Sequence, residues 1–82
     1  MATVTIYTTA WCPYCTRAKK LLDQKQVKYT NIDVSAPAVR AKMAKLTGGR
    51  TVPQIVINEQ AIGGCDELHA LERSGKLDAL LK

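Results

Sequence analysis

Two thiols three residues apart, Cys12 and Cys15, with Pro13 and Tyr14 between them, are the side chains of this sequence best suited to chemistry. Thiols at this spacing can open and close a disulfide or ligate a soft metal. They follow an alternating run, Val4 and Ile6 against Thr5 and Tyr7, and precede a helix-patterned stretch carrying Ala18, Leu21 and Leu22. The predicted order is therefore strand, thiols, helix. A helix opening at Pro13 puts Cys12 at or beside the N-cap, where unpaired N–H groups and the positive end of the helix dipole favour a negative sulfur. The thiolate is the nucleophilic form of cysteine. Pro13 suits the first helical position because its φ is preset and its missing N–H would have had no intrahelical partner. Cys15 then shares a helical face with Cys12, within reach of a tight disulfide. Lys19, four residues beyond Cys15, either holds its ammonium near the thiols or lies on the surface.

Metal binding competes with redox chemistry at such a site. A structural zinc site needs a second ligand pair, and Cys65 and His69, on a later element, have no CxxC or HxxxH partner. A ferredoxin-like carrier of soft metals also sets CxxC between its first strand and first helix, so the later elements must decide. Thr3 to Thr8 reads as a strand, Pro13 to about Lys25 as a helix, and Lys28 to Val34 as a second strand, placed at an edge by Asn31 and Asp33. The intervening helix makes the two strands parallel. Ser35 is the N-cap candidate of a second helix, with Pro37 in its first turn, Val39, Met43 and Leu46 as its buried stripe, and Gly48-Gly49 as its end. A ferredoxin-like carrier would have a third strand at this point. Thr51-Val52-Pro53 leads into Gln54-Ile55-Val56-Ile57, a short β-branched strand that tolerates Pro53 at its first residue. Asn58-Glu59-Gln60 reads as a hairpin turn without the Asn-Gly signature that would fix its type, and Ala61-Ile62-Gly63 as the last strand. Cys65-Asp66-Glu67 opens a third helix with Leu68 and Leu71 inward; Asp66 is its N-cap or a first-turn acid, and His69 faces solvent. Leu77, Leu80 and Leu81 dock the tail on the core. The fold class is α/β, a four-stranded mixed sheet with three helices in the order β-α-β-α-β-β-α.

A chain of 82 residues, 46% hydrophobic and 23% charged, has the composition of one folded domain over residues 1–82. It shows no basic and apolar leader, and no apolar run approaches the ~20 residues of a membrane span, so a cytoplasmic protein without a membrane partner is expected. Three cysteines do not make a secreted disulfide framework. The formal charge of +5 gathers in Arg17, Lys19, Lys20, Lys25 and Lys28, with no aromatic residues interleaved as stacking platforms. That pattern is a solvated helix face and not a nucleic-acid surface, although its field raises the local concentration of anionic substrates.

Cys12-Pro13-Tyr14-Cys15, Thr51-Val52-Pro53 and Gly63-Gly64-Cys65-Asp66 occur in the order and at the spacings of the dithiol glutaredoxins. Over essentially its whole length the sequence resembles the bacterial glutaredoxin 3 group. The resemblance implies a thioredoxin-like fold and a glutathione-dependent thiol–disulfide oxidoreductase, a monomer with no bound cofactor or metal and with glutathione as reducing co-substrate. Cys12 would be the nucleophile and Cys15 the resolving thiol. A cis bond before Pro53 is implied, with the main chain of Val52 free to pair with the cysteine moiety of glutathione. Tyr14, Thr51, Val52, Pro53, Cys65 and Asp66 would line the groove. Main-chain N–H groups at the start of the third helix would take the γ-glutamyl carboxylate and Asp66 its amine, Cys65 contributing backbone and not sulfur. Arg40, on the second helix, would meet the glycine carboxylate. The implied partners are glutathione and glutathionylated or disulfide-containing proteins, ribonucleotide reductase among the candidates. Two departures stand out: Thr8-Thr9-Ala10-Trp11 lacks the lysine that many glutaredoxins carry before the first cysteine, and Glu67 stands where Asp is common. Two other readings remain. One is a reductant fed by thioredoxin reductase, though its Trp-Ser-Gly-Phe-type motif is replaced here by Gly63-Gly64-Cys65-Asp66. The other is a glutathione-ligated iron–sulfur dimer on Cys12, which Pro13 disfavours.

Overall fold

Alternation along the first strand sets the layout. In β1 (Val4–Thr8), Val4, Ile6 and Thr8 are buried while Thr5 and Tyr7 are only half-buried. The computed structural model, which describes residues 3–81, continues with α1 (Pro13–Gln24), β2 (Thr30–Asp33), α2 (Pro37–Thr47), β3 (Gln54–Ile57), β4 (Gln60–Gly63), α3 (Cys65–Arg73) and α4 (Lys76–Leu81). The sheet runs β2-β1-β3-β4, with β1 parallel to β2 and antiparallel to β3, and β3 antiparallel to β4. This is the mixed, thioredoxin-like sheet that the sequence predicts, with β2 at an edge.

Register decides what the sheet faces. Ile6 pairs with Ile55 and Val4 with Ile57, so four branched side chains share one face. Ala18, Leu21 and Leu22 of α1, Leu68 of α3 and Leu77 of α4 close over that face. The stripe on α1 is therefore core. From the other side α2 packs on β3 and β4, with Met43 fully buried. Lys25, at the end of α1, places Nζ 2.6 Å from Glu72 Oε1 and 2.9 Å from Asp78 Oδ1, tying α1 to α3 and α4.

Several local expectations are corrected. Among the described residues four helices form where three were expected: Gly75, at φ +76, reverses the chain after α3, and a short α4 carries Leu77 into the core. Ser35 does not cap α2. The N-cap is Ala36, without a side-chain bond, because Asp33 Oδ1 accepts from Ser35 N–H at 2.7 Å and Ser35 Oγ at 2.6 Å. Such a local turn satisfies the serine before the helix begins. Leu46 lies outside the buried stripe at 69% exposure, since α2 ends one residue later and turns away at Gly48, φ +77. The β2 ladder stops at Asp33, although Val34 N–H still reaches Thr8 O at 2.8 Å. The hairpin turn is a two-residue loop, Asn58 and Glu59 at φ +51 and +67, the left-handed pair of a type I′ turn.

Because Leu22 sits with no exposure between α1 and the sheet, Leu22→Ala should lower unfolding free energy by about 2–5 kcal/mol in urea titration. Leu46→Ala should change it by less than about 0.5 kcal/mol, and equal losses at the two positions would contradict the assigned core.

Candidate functional site

Cys12 occupies the N-cap of α1 in extended geometry, φ −109 and ψ 104, with Pro13 as the first helical residue. Its sulfur does what a capping oxygen normally does: Cys15 N–H donates to Cys12 Sγ at 3.2 Å. The Cys12 carbonyl accepts from Thr16 N–H at 3.1 Å and Thr16 Oγ1 at 3.2 Å, so its backbone is pinned as well. Cys12 is half-buried. Cys15, one helical turn into α1, is 2% exposed. Burial, the hydrogen bond to Cys12 and the charge of that neighbour together push the Cys15 thiol up to about 11, against smaller opposing effects from the Thr9 backbone and Lys19. Two cysteines of one motif thus meet different surroundings.

Across the sheet, the Cys12 thiol donates to Val52 O at 3.9 Å, a long contact that joins α1 to the loop before β3. The Val52–Pro53 peptide bond is cis. Gln54 is buried and its Nε2 donates to Thr51 O at 3.0 Å and Thr51 Oγ1 at 3.3 Å, which fixes this loop from within. Gly64 then brings α3 against the loop: a Cβ there would lie 3.2 Å from Pro53 O. Gly64 is also the N-cap of α3, and no side chain caps that helix, so its first N–H groups are left to a ligand or to water. Asp66 and Glu67 are first-turn acids and not caps.

These segments enclose a groove of about 470 Å³. Of the residues predicted to line it, Tyr14, Thr51, Val52, Pro53, Cys65 and Asp66 all do. Arg40 does not: it lies in a separate depression on α2, its Nε and Nη2 donating to Arg50 O at 3.2 and 3.0 Å. The thiols border a second depression of about 430 Å³ with Trp11 and Lys19. The Arg17 guanidinium lies 5.8 Å from the centre of the Tyr14 ring.

Sequence reasoning placed His69 in solvent, but it is half-buried and turned back along α3. Its Nδ1–H donates to Cys65 O at 2.8 Å, since a carbonyl can only accept. The same nitrogen lies 3.4 Å from Cys65 Sγ and, already holding its proton, cannot act as a base toward that thiol. Burial, and then the charge of Asp66, push the Cys65 thiol up. Gln54 and Trp11 are site residues that the sequence reading missed. For Gln54 the signal was an amide opening an otherwise apolar strand, and for Trp11 a large aromatic directly before the first thiol.

A glutaredoxin family model matches residues 4–62. A glutaredoxin of Pseudomonas aeruginosa is 60% identical over 82 residues, covering 99% of this chain and 98% of the relative. Glutaredoxin 3 of Escherichia coli K12 is 52% identical over 83 residues, covering both chains completely. Among solved structures, the buckwheat glutaredoxin–glutathione complex superposes with a TM-score of 0.90 at 36% identity, over 98% of this chain and 76% of that one. A family model over most of the chain, and relatives matched over nearly the full length of both partners, are similarity of the whole molecule: the chain belongs to the glutaredoxin family, thiol–disulfide oxidoreductases of thioredoxin fold.

Proposed function

We propose that the protein is a glutathione-dependent reductase of glutathione mixed disulfides and protein disulfides, with Cys12 as nucleophile and Cys15 as resolving thiol. The observation that carries this reading is the position of Cys12 Sγ, held by the Cys15 N–H at the start of α1 and in contact with Val52 at the wall of the groove. The buckwheat complex with glutathione supports the choice of co-substrate. The protein is taken to act as one cytoplasmic, monomeric domain.

With a glutathionylated substrate, the Cys12 thiolate attacks the glutathionyl sulfur. A Cys12–glutathione disulfide forms as the substrate disulfide breaks, and the departing thiolate takes a proton from water. A second glutathione thiolate then attacks the glutathionyl sulfur, releasing oxidised glutathione and restoring the Cys12 thiolate. With a protein disulfide, Cys12 forms a mixed disulfide and Cys15 attacks the Cys12 sulfur. The second substrate thiolate leaves, and two glutathiones reduce the resulting Cys12–Cys15 bond. The environment of Cys15 suits this order. Part of what holds its proton is the Cys12 sulfur, as hydrogen-bond partner and charge, and both effects go once Cys12 is in a mixed disulfide.

Glutathione is oriented by its own charges. The uncapped start of α3 takes the γ-glutamyl carboxylate, and Asp66 takes the amine. The main chain of Val52 pairs with the cysteine moiety as an added strand would. Arg40, braced on the Arg50 carbonyl next to Thr51, keeps unused N–H donors for the glycine carboxylate.

Three outcomes are expected. In glutathione-coupled reduction of a small glutathione mixed disulfide, Cys12→Ser should be inactive while Cys15→Ser keeps most of the activity; with a protein disulfide both should fail. Asp66→Ala should raise KM for the mixed disulfide about fivefold with kcat little changed, the effect of losing an exposed charged contact of about 1 kcal/mol. The raised Cys15 pKa means that the folded protein holds this proton at neutral pH and gives it up only near pH 11. Pulsed alkylation read by peptide mass should therefore leave Cys15 unlabelled at pH 7 and label it only as pH climbs toward 11. Equal labelling of both at pH 7 would contradict the assignment.

A further inference from the structure

The second depression beside the thiols has no part in the chemistry above. Trp11, Ala10, Thr9, Thr16 and Lys19 help to form it, and both Cys12 and Cys15 open onto it. It shares no lining residue with the groove assigned to glutathione, so the Cys12 sulfur, in contact with Val52, stands between the two. A disulfide substrate has two halves. When the glutathionyl half fills the first groove, the polypeptide half must leave Cys12 by another way, and this depression is the one that reaches it. With a protein disulfide it reaches both thiols that react.

Its walls have a definite chemistry. Trp11 is 99% exposed and sits at φ +63, in the left-handed region that non-glycine residues seldom enter. A large aromatic in full contact with water, held by an uncommon backbone next to a reactive thiol, marks a contact surface and not a core. Lys19 is half-buried, and among the described residues the ion pairs involve Lys25 and not Lys19. Its charge acts on the Asp33 carboxylate without pairing with it, which leaves its N–H donors open to a carboxylate from outside. A formal charge of +5 on the chain favours the same sign of partner.

We propose that this depression docks the polypeptide flanking the substrate cysteine, selecting an apolar side chain against the Trp11 indole and an acidic one beside Lys19. The proposal rests on the exchange reaction assigned above and adds to it a rule for choosing protein substrates.

The test uses two peptides of equal length, each with one cysteine joined to glutathione, flanked in one by Leu and Glu and in the other by Gly and Gln. The wild type should favour the first by about tenfold in kcat/KM, the usual size of a well-placed aromatic contact. Trp11→Ala should cut the ratio to the part due to Glu, Trp11→Phe should keep most of it, Lys19→Gln should lose the part due to Glu alone, and the double variant should bring it near one. Equal kcat/KM for the two peptides in the wild type, or a preference undiminished by Trp11→Ala, overturns the proposal. Trp11 is also the sole tryptophan, so its emission reports docking of the same peptides made with Ser in place of Cys, where no reaction is possible. Where neither reactive peptide turns over with glutathione, the reading of the first groove fails and emission alone decides here: a blue shift with the Leu/Glu peptide supports the docking site, and unmoved emission overturns it.

Discussion

A sulfur atom in the place of a helix cap is the constraint on which the rest of the structure depends. Most helices begin with an oxygen that accepts from the first free N–H groups; this one begins with Cys12 Sγ, 3.2 Å from the Cys15 nitrogen. The bond requires β1 to end just short of α1 and the chain to turn between them within four residues, Thr9 to Cys12. Trp11 absorbs that turn at φ +63, and Pro13 starts the helix in a preset φ. The helix can be held there only because Ala18 and Leu22 lock its inner face to the sheet. Core packing and thiol chemistry are therefore not separate accounts. The apolar stripe that stabilises the fold also fixes the direction of the N–H groups at the reactive sulfur.

The difference between the two thiols follows from one turn of helix. At the cap, Cys12 stands at the protein surface with a donor aimed at it. Three residues on, Cys15 faces the core and its proton is held to about pH 11. Nothing in the chemistry of cysteine distinguishes them. Burial, reinforced by the Cys12 sulfur as hydrogen-bond partner and charge, holds the Cys15 proton, and in the proposed mechanism this keeps the resolving thiol silent until Cys12 has reacted. The buried thiol becomes easier to ionise at the moment the first is consumed.

Much of this was legible in the sequence because it rests on periodicity and on spacing. Val4 and Ile6, the α1 stripe and the β-branched run through Ile55 and Ile57 each declare a buried face, and their order is enough to separate this topology from a ferredoxin-like one. What was not legible depends on competition between neighbours. Ser35 has the chemistry of a cap, yet Asp33 reaches it first. Leu46 fits the helical period, but a period does not say where a helix leaves the sheet. His69 looked like a polar residue on an outer face, and the carbonyl one turn back draws its ring inward. The short α4 depends on Gly75 and on Asp78 meeting Lys25, a contact between residues that lie far apart in the chain. Arg40 carries the right charge for a carboxylate, and only the fold reveals that part of its fork is already spent on Arg50.

The groove itself explains why the remaining motifs are rich in residues without ordinary side chains. A ligand that binds through main-chain atoms needs strand and helix backbones brought together with little between them. Gly64 does this from the α3 side, where a Cβ would already press on the Pro53 carbonyl. On the opposite wall, the loop before β3 must offer its backbone outward while its inner side stays satisfied. Gln54 provides that satisfaction, its buried amide donating twice to Thr51. An apolar residue at this position would fill the same volume but leave the Thr51 carbonyl to find another donor. The specificity of such a groove lies in peptide groups that every sequence possesses, and what this sequence contributes is the small set of side chains that keep those groups exposed.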